Sequence, residues 1–276
     1  MNKWQAIILR AGLYVLLVLL GLSLFSWLLH GLFGYFGAAA LGTFLTGLVA
    51  NLFTLRIYEN MTLADAGLRW NHASTRNLLY GLAAGAGAAL LVLIGLLITG
   101  SAQFVKAGKF DAGSLVFVTI LLAAGVAGEE LMFRGYGFQY LAPRIGEWAT
   151  VLPLGILFGF AHMGNQNATL LAVVNTAAWG IVLGYAFLRS HDLWLPMGIH
   201  FGWNWTLPML GANLSGFEMQ VTGIQLKVDP TALFGGGAYG PEGSILTTAV
   251  LAAVVWFLKR APIVTQPSPL YDQQPE

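Results

Sequence analysis

The sequence predicts an all-α protein, a polytopic membrane helix bundle of about eight transmembrane helices. Hydrophobic residues make up 57% of its 276 residues and charged residues only 9%, against about 25% charged residues in a typical soluble domain. A soluble domain of this length would need far more charge on its surface, and a disordered chain would be far less apolar. A transmembrane helix takes about 20 mostly apolar residues, and the stretches that reach or approach this length are 11–33, 36–56, 78–100, 114–142, 148–164, 168–188, 192–210 and 244–258.

The N-terminal region, residues 1–112, is predicted to hold about three spans and a cytoplasmic loop at 57–77. Lys3 and Arg10 precede the first apolar stretch as in a signal peptide. That stretch is too long for the apolar region of a signal peptide and lacks a clear small-residue cleavage site, so we expect it to be retained. Within the loop, Thr62 is predicted to cap a short helix that Gly67 ends.

The remainder of the chain divides into a core and three smaller parts. Residues 113–210 are predicted to form a catalytic core of about four spans, and 211–243 an outer Gly-rich loop. Residues 244–260 are predicted to form the last transmembrane helix. The tail, 261–276, holds four of the ten prolines and is predicted to be disordered.

Glycines four residues apart recur inside the predicted spans. The pairs are Gly81 with Gly85, Gly155 with Gly159, and Gly180 with Gly184. Small residues at this spacing let helix backbones approach closely in lipid. The pattern predicts tight packing within one bundle, with a dimer face as the alternative.

The basic residues predict the orientation. If the N-terminus is cytoplasmic and the spans alternate, only Lys106, Lys109 and Lys227 of the 13 Lys and Arg residues fall on the outer side. This distribution follows the positive-inside rule. We therefore expect a multi-pass protein of the cytoplasmic membrane with both termini in the cytoplasm. The formal net charge of +1 provides no basic surface for nucleic acid.

The fourth predicted span contains charges that are costly in lipid. Glu129, Glu130 and Arg134 lie within its apolar run, and charged groups near the middle of a bilayer cost about 2.5 kcal/mol or more each. Glu130 and Arg134 are four residues apart, so they share a helix face and can pair. Glu129 has no local cation and needs a partner from another span, a proton or water. An ion pair that only fixes helix register is the structural alternative.

Two further spans contain polar residues. His162 ends the fifth, and His200 and Asn204 lie four residues apart on the seventh. Either group alone is typical of interhelical hydrogen bonding. At about 1.5 Å per residue, the groups on the three spans reach overlapping depths. We therefore expect them to converge on one internal cavity.

This set of residues suits hydrolysis of an amide by activated water. A carboxylate beside a neutral imidazole can hold and deprotonate water, and a His with an Asn amide can form an oxyanion hole. The chain has no cysteine and lacks the Gly-x-Ser-x-Gly motif, so a covalent nucleophile is poorly supported. Zinc held by Glu130, His162 and His200 is the alternative. The His-Glu-x-x-His motif is absent, however, and Arg134 would oppose a nearby dication.

The three motifs resemble those of the CAAX-protease and bacteriocin-processing (CPBP) family, which includes the type II CAAX prenyl endopeptidases. They are Glu129-Glu130-x-x-x-Arg134, Phe158-x-x-x-His162 and His200-x-x-x-Asn204. The resemblance covers about residues 114–206, and a short segment at 61–68 also looks like one that these proteins carry.

The resemblance implies an intramembrane glutamic endopeptidase. Glu129 would correspond to the base, and His162 would help to hold the water. His200 and Asn204 would form the oxyanion hole, while Glu130 and Arg134 would support the site by pairing.

We therefore expect an endopeptidase without a cofactor, zinc being the alternative cofactor. Its expected partners are the lipid bilayer and a peptide or protein substrate, with or without a lipid modification. A non-catalytic or proton-coupled membrane scaffold is the alternative from another functional class, because buried Glu and His also suit proton relays. The chain has no clear inverted repeat, which many such transporters have.

Overall fold

The structure, a computed structural model, describes residues 2–219, 221–229 and 234–273. It is a bundle of α-helices with one two-stranded ribbon, so the predicted all-α class is confirmed. The helices are α1, Lys3–Thr54; α2, His72–Ile98; α3, Ala112–Arg134; α4, Tyr136–Ile145; α5, Glu147–Ala161; α6, Leu170–Ser190; α7, Trp194–Met209; α8, Ile245–Arg260; and α9, Pro269–Asp272. The strands are β1, Ala102–Lys106, and β2, Ile224–Val228.

Several helical segments meet the requirements for crossing a membrane. Within the described residues, length and composition select four: Lys3–Glu59, His72–Ile98, Ala112–Ile145 and Leu170–Ser190. Gly34 has non-helical dihedral angles and divides the first segment between the two spans predicted there. The membrane helix bundle is confirmed, while the number of eight spans and the domain boundaries stay predictions.

The predicted fourth span is broken rather than continuous to residue 142. Helix α3 ends at Arg134, and α4 begins at Tyr136. Between them, a side chain on Gly135 would collide with the amide oxygen of Asn51. The Asn51 amide bonds backbone groups on both sides of the break: its nitrogen donates to Leu131 O at 2.9 Å, and its oxygen accepts from Tyr136 N at 2.6 Å. Because the Asn51 amide forms hydrogen bonds with these backbone groups, the helix can break inside the protein.

The predicted close helix packing is found within the bundle. Gly81 and Gly85 of α2 pack against the backbone of α7, and Gly155 and Gly159 of α5 pack against α6. A Cβ atom on Gly85 would overlap the carbonyl oxygen of Ile199 on α7. These glycine faces therefore lie between helices of the same bundle, as the prediction of tight packing within one bundle states.

The C-terminal tail is not disordered as far as it is described, so this prediction is wrong for residues 261–273. The tail crosses the end of the bundle that carries loop 55–71, which we call the tail end. Gln266 N donates to Ser190 O at 2.8 Å, Val264 N donates to the amide oxygen of Asn77 at 3.0 Å, and Leu270 is fully buried. The tail supplies partners to polar groups that would otherwise be buried alone. Residues 274–276 lie outside the described residues.

Both predicted loops have some regular structure. In loop 57–77, a 3-10 helix at Leu63–Ala66 begins after Thr62 and ends at Gly67, whose φ is +84°, as predicted. The outer loop contributes β2, which pairs antiparallel with β1 so that Phe104 lies opposite Leu226; this ribbon was not predicted. It lies at the loop end, opposite the tail end, and carries Lys106 and Lys227. Residues 220 and 230–233 of this loop lie outside the described residues.

Candidate active site

Helix packing fixes the two helices that carry the site. Gly198 and Gly202 of α7 lie against the backbone of α2, which sets the position of His200 between them. On the other side of the site, a Cβ atom on Gly128 of α3 would overlap the backbone of Phe44 in α1. This close approach sets the position of Glu129 and Glu130, the next two residues of α3. Side chains on such closely packed helices are held more rigidly than side chains on loops.

Glu130 forms the buried centre of an ion cluster. Its Oε1 atom lies 3.2 Å from Nη1 of Arg134 and 2.8 Å from Nδ1 of His200. Glu130 is fully buried and Arg134 is 2% exposed. Arg134 also donates through Nη2 to the carbonyl oxygen of Gly180 at 2.7 Å. The predicted pair of Glu130 and Arg134 is therefore present, and the structure adds His200, which the spacing could not indicate.

Glu129 lies beside the same histidine but is less enclosed. Its Oε2 atom lies 3.6 Å from Nε2 of His200, and its side chain is 26% exposed. Among the described residues, that oxygen has no hydrogen-bond partner. A separation of 3.6 Å is too long for a good hydrogen bond. Glu129 therefore holds, beside the histidine, a buried carboxylate oxygen without a hydrogen-bond partner in the described part of the chain, while other atoms of its side chain are exposed.

His162 is held by the helix that precedes it. It follows Ala161, the last residue of α5, and its Nδ1 lies 2.8 Å from the carbonyl oxygen of Phe158. A carbonyl only accepts, so Nδ1 carries the proton and donates. The Nε2 atom is then the nitrogen left for other partners.

Phe158 packs among the charged groups and is itself 3% exposed. Its ring centroid lies 4.7 Å from that of His162 and 5.9 Å from that of His200. The guanidinium carbon of Arg134 lies 5.1 Å from the same ring, a cation–π distance. Phe158 thus separates the two histidines and covers the arginine.

A single, mostly apolar cavity of about 640 Å³ brings the predicted catalytic residues together. Glu129, His162, His200 and Asn204 all line it, and so does Phe158. Glu130 and Arg134 lie behind this lining, as supporting residues would. Among the described residues, no hydrogen bond joins Glu129 to His162; the direct neighbour of Glu129 is His200.

The cavity also contains a carboxyl that the sequence analysis missed. Glu242, from the outer loop, lines it and is 6% exposed. Burial raises the pKa of Glu242 above its ordinary value, against hydrogen bonds from Ser215 and Trp203. In the sequence, Glu242 lies two residues before Ser244, which caps the start of α8. Nothing in the local sequence indicates that the loop folds back over the site.

The ligands proposed for zinc do not form a metal site. Across the parts of the chain that the structure describes, no group of three or more His, Asp or Glu side chains could hold a metal ion. Glu130, the carboxylate of the alternative set, is already paired with Arg134 and His200. Zinc therefore stays an alternative prediction, in which Glu130 would have to exchange these two partners for the metal.

The segment that carries the three motifs matches a known protein family. Residues 111–206 match the family described as type II CAAX prenyl endopeptidase, Rce1-like. The match contains all three motifs and confirms the family resemblance predicted from them. It supports a membrane protease of the CAAX type in general. Neither a curated protein nor a solved structure matches the chain.

Proposed function

We propose that this protein, whose residues 111–206 match the type II CAAX prenyl endopeptidase family, is an intramembrane endopeptidase of the glutamic type. It hydrolyses a peptide bond with activated water, without a covalent intermediate and without a metal cofactor. The observation that carries this proposal is the single cavity lined by Glu129, His162, His200 and Asn204.

Glu129 is the base in this proposal. Its Oε2 is free of hydrogen-bond partners among the described residues and belongs to a side chain that lines the cavity. Glu129 takes one proton from the attacking water and returns it to the leaving amine.

His162 holds that water. With Nδ1 donating to Phe158 O, Nε2 can accept a hydrogen bond from the water. The backbone hydrogen bond fixes both the tautomer and the ring orientation, as the orienting partner of a catalytic histidine does.

His200 and Asn204 stabilise the oxyanion. His200 donates to Glu130 through Nδ1, so donation to the oxyanion requires a second proton on Nε2. The two neighbouring carboxylates compensate the charge of such an imidazolium, since an opposite charge within about 4–6 Å favours the charged form. The Asn204 amide supplies the second N–H.

The substrate is a peptide or the tail of a membrane protein, with or without a lipid modification. The cavity reaches the apolar residues Val15 and Leu19 of α1, so a lipid-borne segment would find apolar partners. We propose that the protein lies in the cytoplasmic membrane with both termini in the cytoplasm.

Cleavage assays with the purified protein in lipid nanodiscs test this function. Fluorogenic peptides ending in Cys-a-a-X, with and without a prenyl group, are compared on the wild-type protein, Glu129→Gln and Glu218→Gln. We expect the wild-type protein to cleave at least one peptide, and Glu129→Gln to lose about 100-fold or more of kcat. Glu218→Gln changes an exposed loop carboxyl and should retain activity. Full activity of Glu129→Gln would overturn the mechanism.

A chelator arm tests the zinc alternative. Phenanthroline should leave cleavage unchanged under this proposal. A loss of activity that added zinc restores would favour zinc instead. Proton flux in liposomes without cleavage of any peptide would favour the membrane scaffold.

A further inference from the structure

A buried carboxyl at the loop end of the cavity has no part in the mechanism above. Glu242 is 6% exposed and lies in a short 3-10 helix, Pro241–Gly243, just before α8. It lies outside residues 111–206, so the family match does not include it. Burying a carboxylate costs several kcal/mol unless it is well bonded, and the contacts of Glu242 show what it joins.

Both carboxylate oxygens of Glu242 accept hydrogen bonds, from two different parts of the protein. Oε1 accepts from the indole Nε1 of Trp203 at 3.2 Å, and Oε2 accepts from the backbone N–H of Ser215. Trp203 precedes Asn204 on α7. Glu242 therefore joins the helix that carries His200 and Asn204 to residues 213–217, which we call the cap segment.

The cap segment is a tight turn that needs such an anchor. Ser215 has a φ of +50° and Gly216 a φ of +85°, and a left-handed conformation is uncommon outside glycine. Leu214 N donates to Phe217 O at 2.9 Å, and Phe217 N donates to Leu214 O at 2.8 Å, which closes the turn. Leu214, Ser215 and Phe217 all line the cavity.

The turn that carries Glu242 is itself held by two helices. Asn175 of α6 donates through Nδ2 to the carbonyl oxygens of Glu242 and Ser244, at 2.8 and 2.9 Å. Thr247 of α8 donates through Oγ1 to Pro241 O at 2.7 Å. The carboxylate therefore projects from a fixed backbone, and its two acceptor atoms define where Trp203 and the cap segment lie.

Glu242 also interacts electrostatically with a residue of the catalytic set. Burial raises the pKa of its carboxyl, while its electrostatic interaction with His162 acts in the opposite direction. The titratable groups that face it are His162, at the end of α5, and Tyr239 of its own loop. Burial, with Glu242 next, raises the pKa of Tyr239 to about 12, so near neutral pH the tyrosine adds no charge.

We infer that Glu242 is a positioning residue, whose carboxylate ties the cap segment to Trp203 and so fixes the cavity wall around Asn204 and His162. The positional part of this inference stands on geometry alone. Its consequence for catalysis rests on the proposed endopeptidase function. The two are tested by separate measurements.

The first measurement needs no substrate. The natural chain has no cysteine, so Leu214→Cys places a single thiol in the cap segment, at a side chain that is 4% exposed. Its labelling by a water-soluble maleimide is followed alone and together with Glu242→Ala or Glu218→Gln. We expect labelling to become about tenfold faster with Glu242→Ala, since hydrogen bonds to a charged group are lost, and to stay unchanged with Glu218→Gln. Equal rates with and without Glu242→Ala would overturn the anchoring role.

The second measurement is the pH profile of kcat/KM. Glu242→Gln keeps the size of the side chain but removes its charge, whereas Trp203→Phe removes one donor and keeps the charge. We expect each variant to lower kcat/KM by roughly tenfold. Only Glu242→Gln should also move the profile to lower pH, by about one unit. Without the negative charge of Glu242, the ionisable groups that line the cavity lose their protons at a lower pH. A merely structural role would not move the profile.

The outcomes separate the two proposals. If the wild-type protein cleaves nothing but Glu242→Ala accelerates labelling, the proposed function fails and the anchor stands. If the wild-type protein cleaves and Glu242→Gln matches it in rate and pH profile, the positioning role is overturned while the endopeptidase stands.

Discussion

The Nδ1 atom of His200 lies 2.8 Å from Oε1 of Glu130, although 70 residues separate them in the sequence. The same oxygen also lies 3.2 Å from Arg134. One buried carboxylate oxygen therefore joins α3 to α7 and has a nitrogen partner on each of the two helices. The contact also fixes the orientation of the imidazole, so that Nε2 faces Glu129 at 3.6 Å. Glu130 is thus both a structural ion-pair partner and the residue that aims His200.

This relationship predicts different effects for the two adjacent glutamates. Glu130→Ala leaves Arg134 and His200 without their shared acceptor, and breaking a buried ion cluster costs about 3–5 kcal/mol. Glu129→Ala removes a side chain whose Oε2 has no hydrogen-bond partner among the described residues, so it should change the unfolding free energy by less than about 1 kcal/mol. Thermal unfolding in detergent measures both. Equal destabilisation by the two variants would contradict the assignment of the structural role to Glu130.

The sequence could predict which polar residues line the cavity because their types and spacing carry the signal. The four-residue interval between Glu130 and Arg134 predicts a pair on one helix face, and the structure has it. The contact with His200 could not be predicted, because it depends on how α3 and α7 pack. Glu242 was missed for the same reason: its burial follows from the fold of the loop and not from its neighbours in the chain.

The errors at the tail and in the fourth span have a common physical cause. Proline content predicts disorder for the tail, but the local sequence does not show that Asn77 and Asp192 are buried and need hydrogen-bond partners. The break at Gly135 likewise depends on Asn51, 84 positions earlier in the sequence. In both places a polar side chain from a distant part of the sequence forms hydrogen bonds with backbone or amide groups. Local sequence patterns do not reveal such a distant partner.

Close packing of α2 on α7 predicts a large effect for a single methyl group. Gly85→Ala would place a Cβ atom on the carbonyl oxygen of Ile199, whereas Gly87→Ala has open space around it. We expect Gly85→Ala to destabilise the protein by about 1–3 kcal/mol or more and to lower cleavage, because α7 carries His200 and Asn204. Gly87→Ala, on the same helix, should retain both properties. Thermal unfolding and kcat/KM are the measurements, and a wild-type-like Gly85→Ala would contradict this packing.

The packed tail predicts that its glutamine contributes to stability. Gln266 is 6% exposed; its amide donates to Asp192 and also accepts from Asn71 Nδ2 at 2.7 Å. Gln266→Ala leaves Asp192 short of a donor, which should cost about 1–3 kcal/mol. The control is Gln103→Ala, an exposed glutamine on β1, which should stay within about 0.5 kcal/mol. If the tail did not pack, the two variants would unfold alike.

Asp192 predicts how stability depends on pH. It lies between α6 and α7, and burial raises the pKa of its carboxyl above the ordinary 3.8, although hydrogen bonds from Asn77, Leu195 and Gln266 act against this. The folded protein then binds the proton more tightly than the unfolded chain does. The contribution of this group to stability is therefore fully present below the ordinary pKa and is lost as the pH rises through the raised one.

The Asp192→Asn variant isolates this contribution, because its amide cannot titrate. Unfolding temperatures measured from about pH 4 to about pH 7 should fall more steeply with rising pH in the wild-type protein than in the variant. The slopes of unfolding temperature against pH are compared, because the other carboxyls titrate in both proteins. The absolute temperatures also differ for another reason, since the Asn amide has one acceptor oxygen fewer than the Asp carboxylate. A variant slope equal to or steeper than that of the wild-type protein would show that hydrogen bonding outweighs burial at Asp192. In that case the pKa of this carboxyl would not be raised in the folded protein.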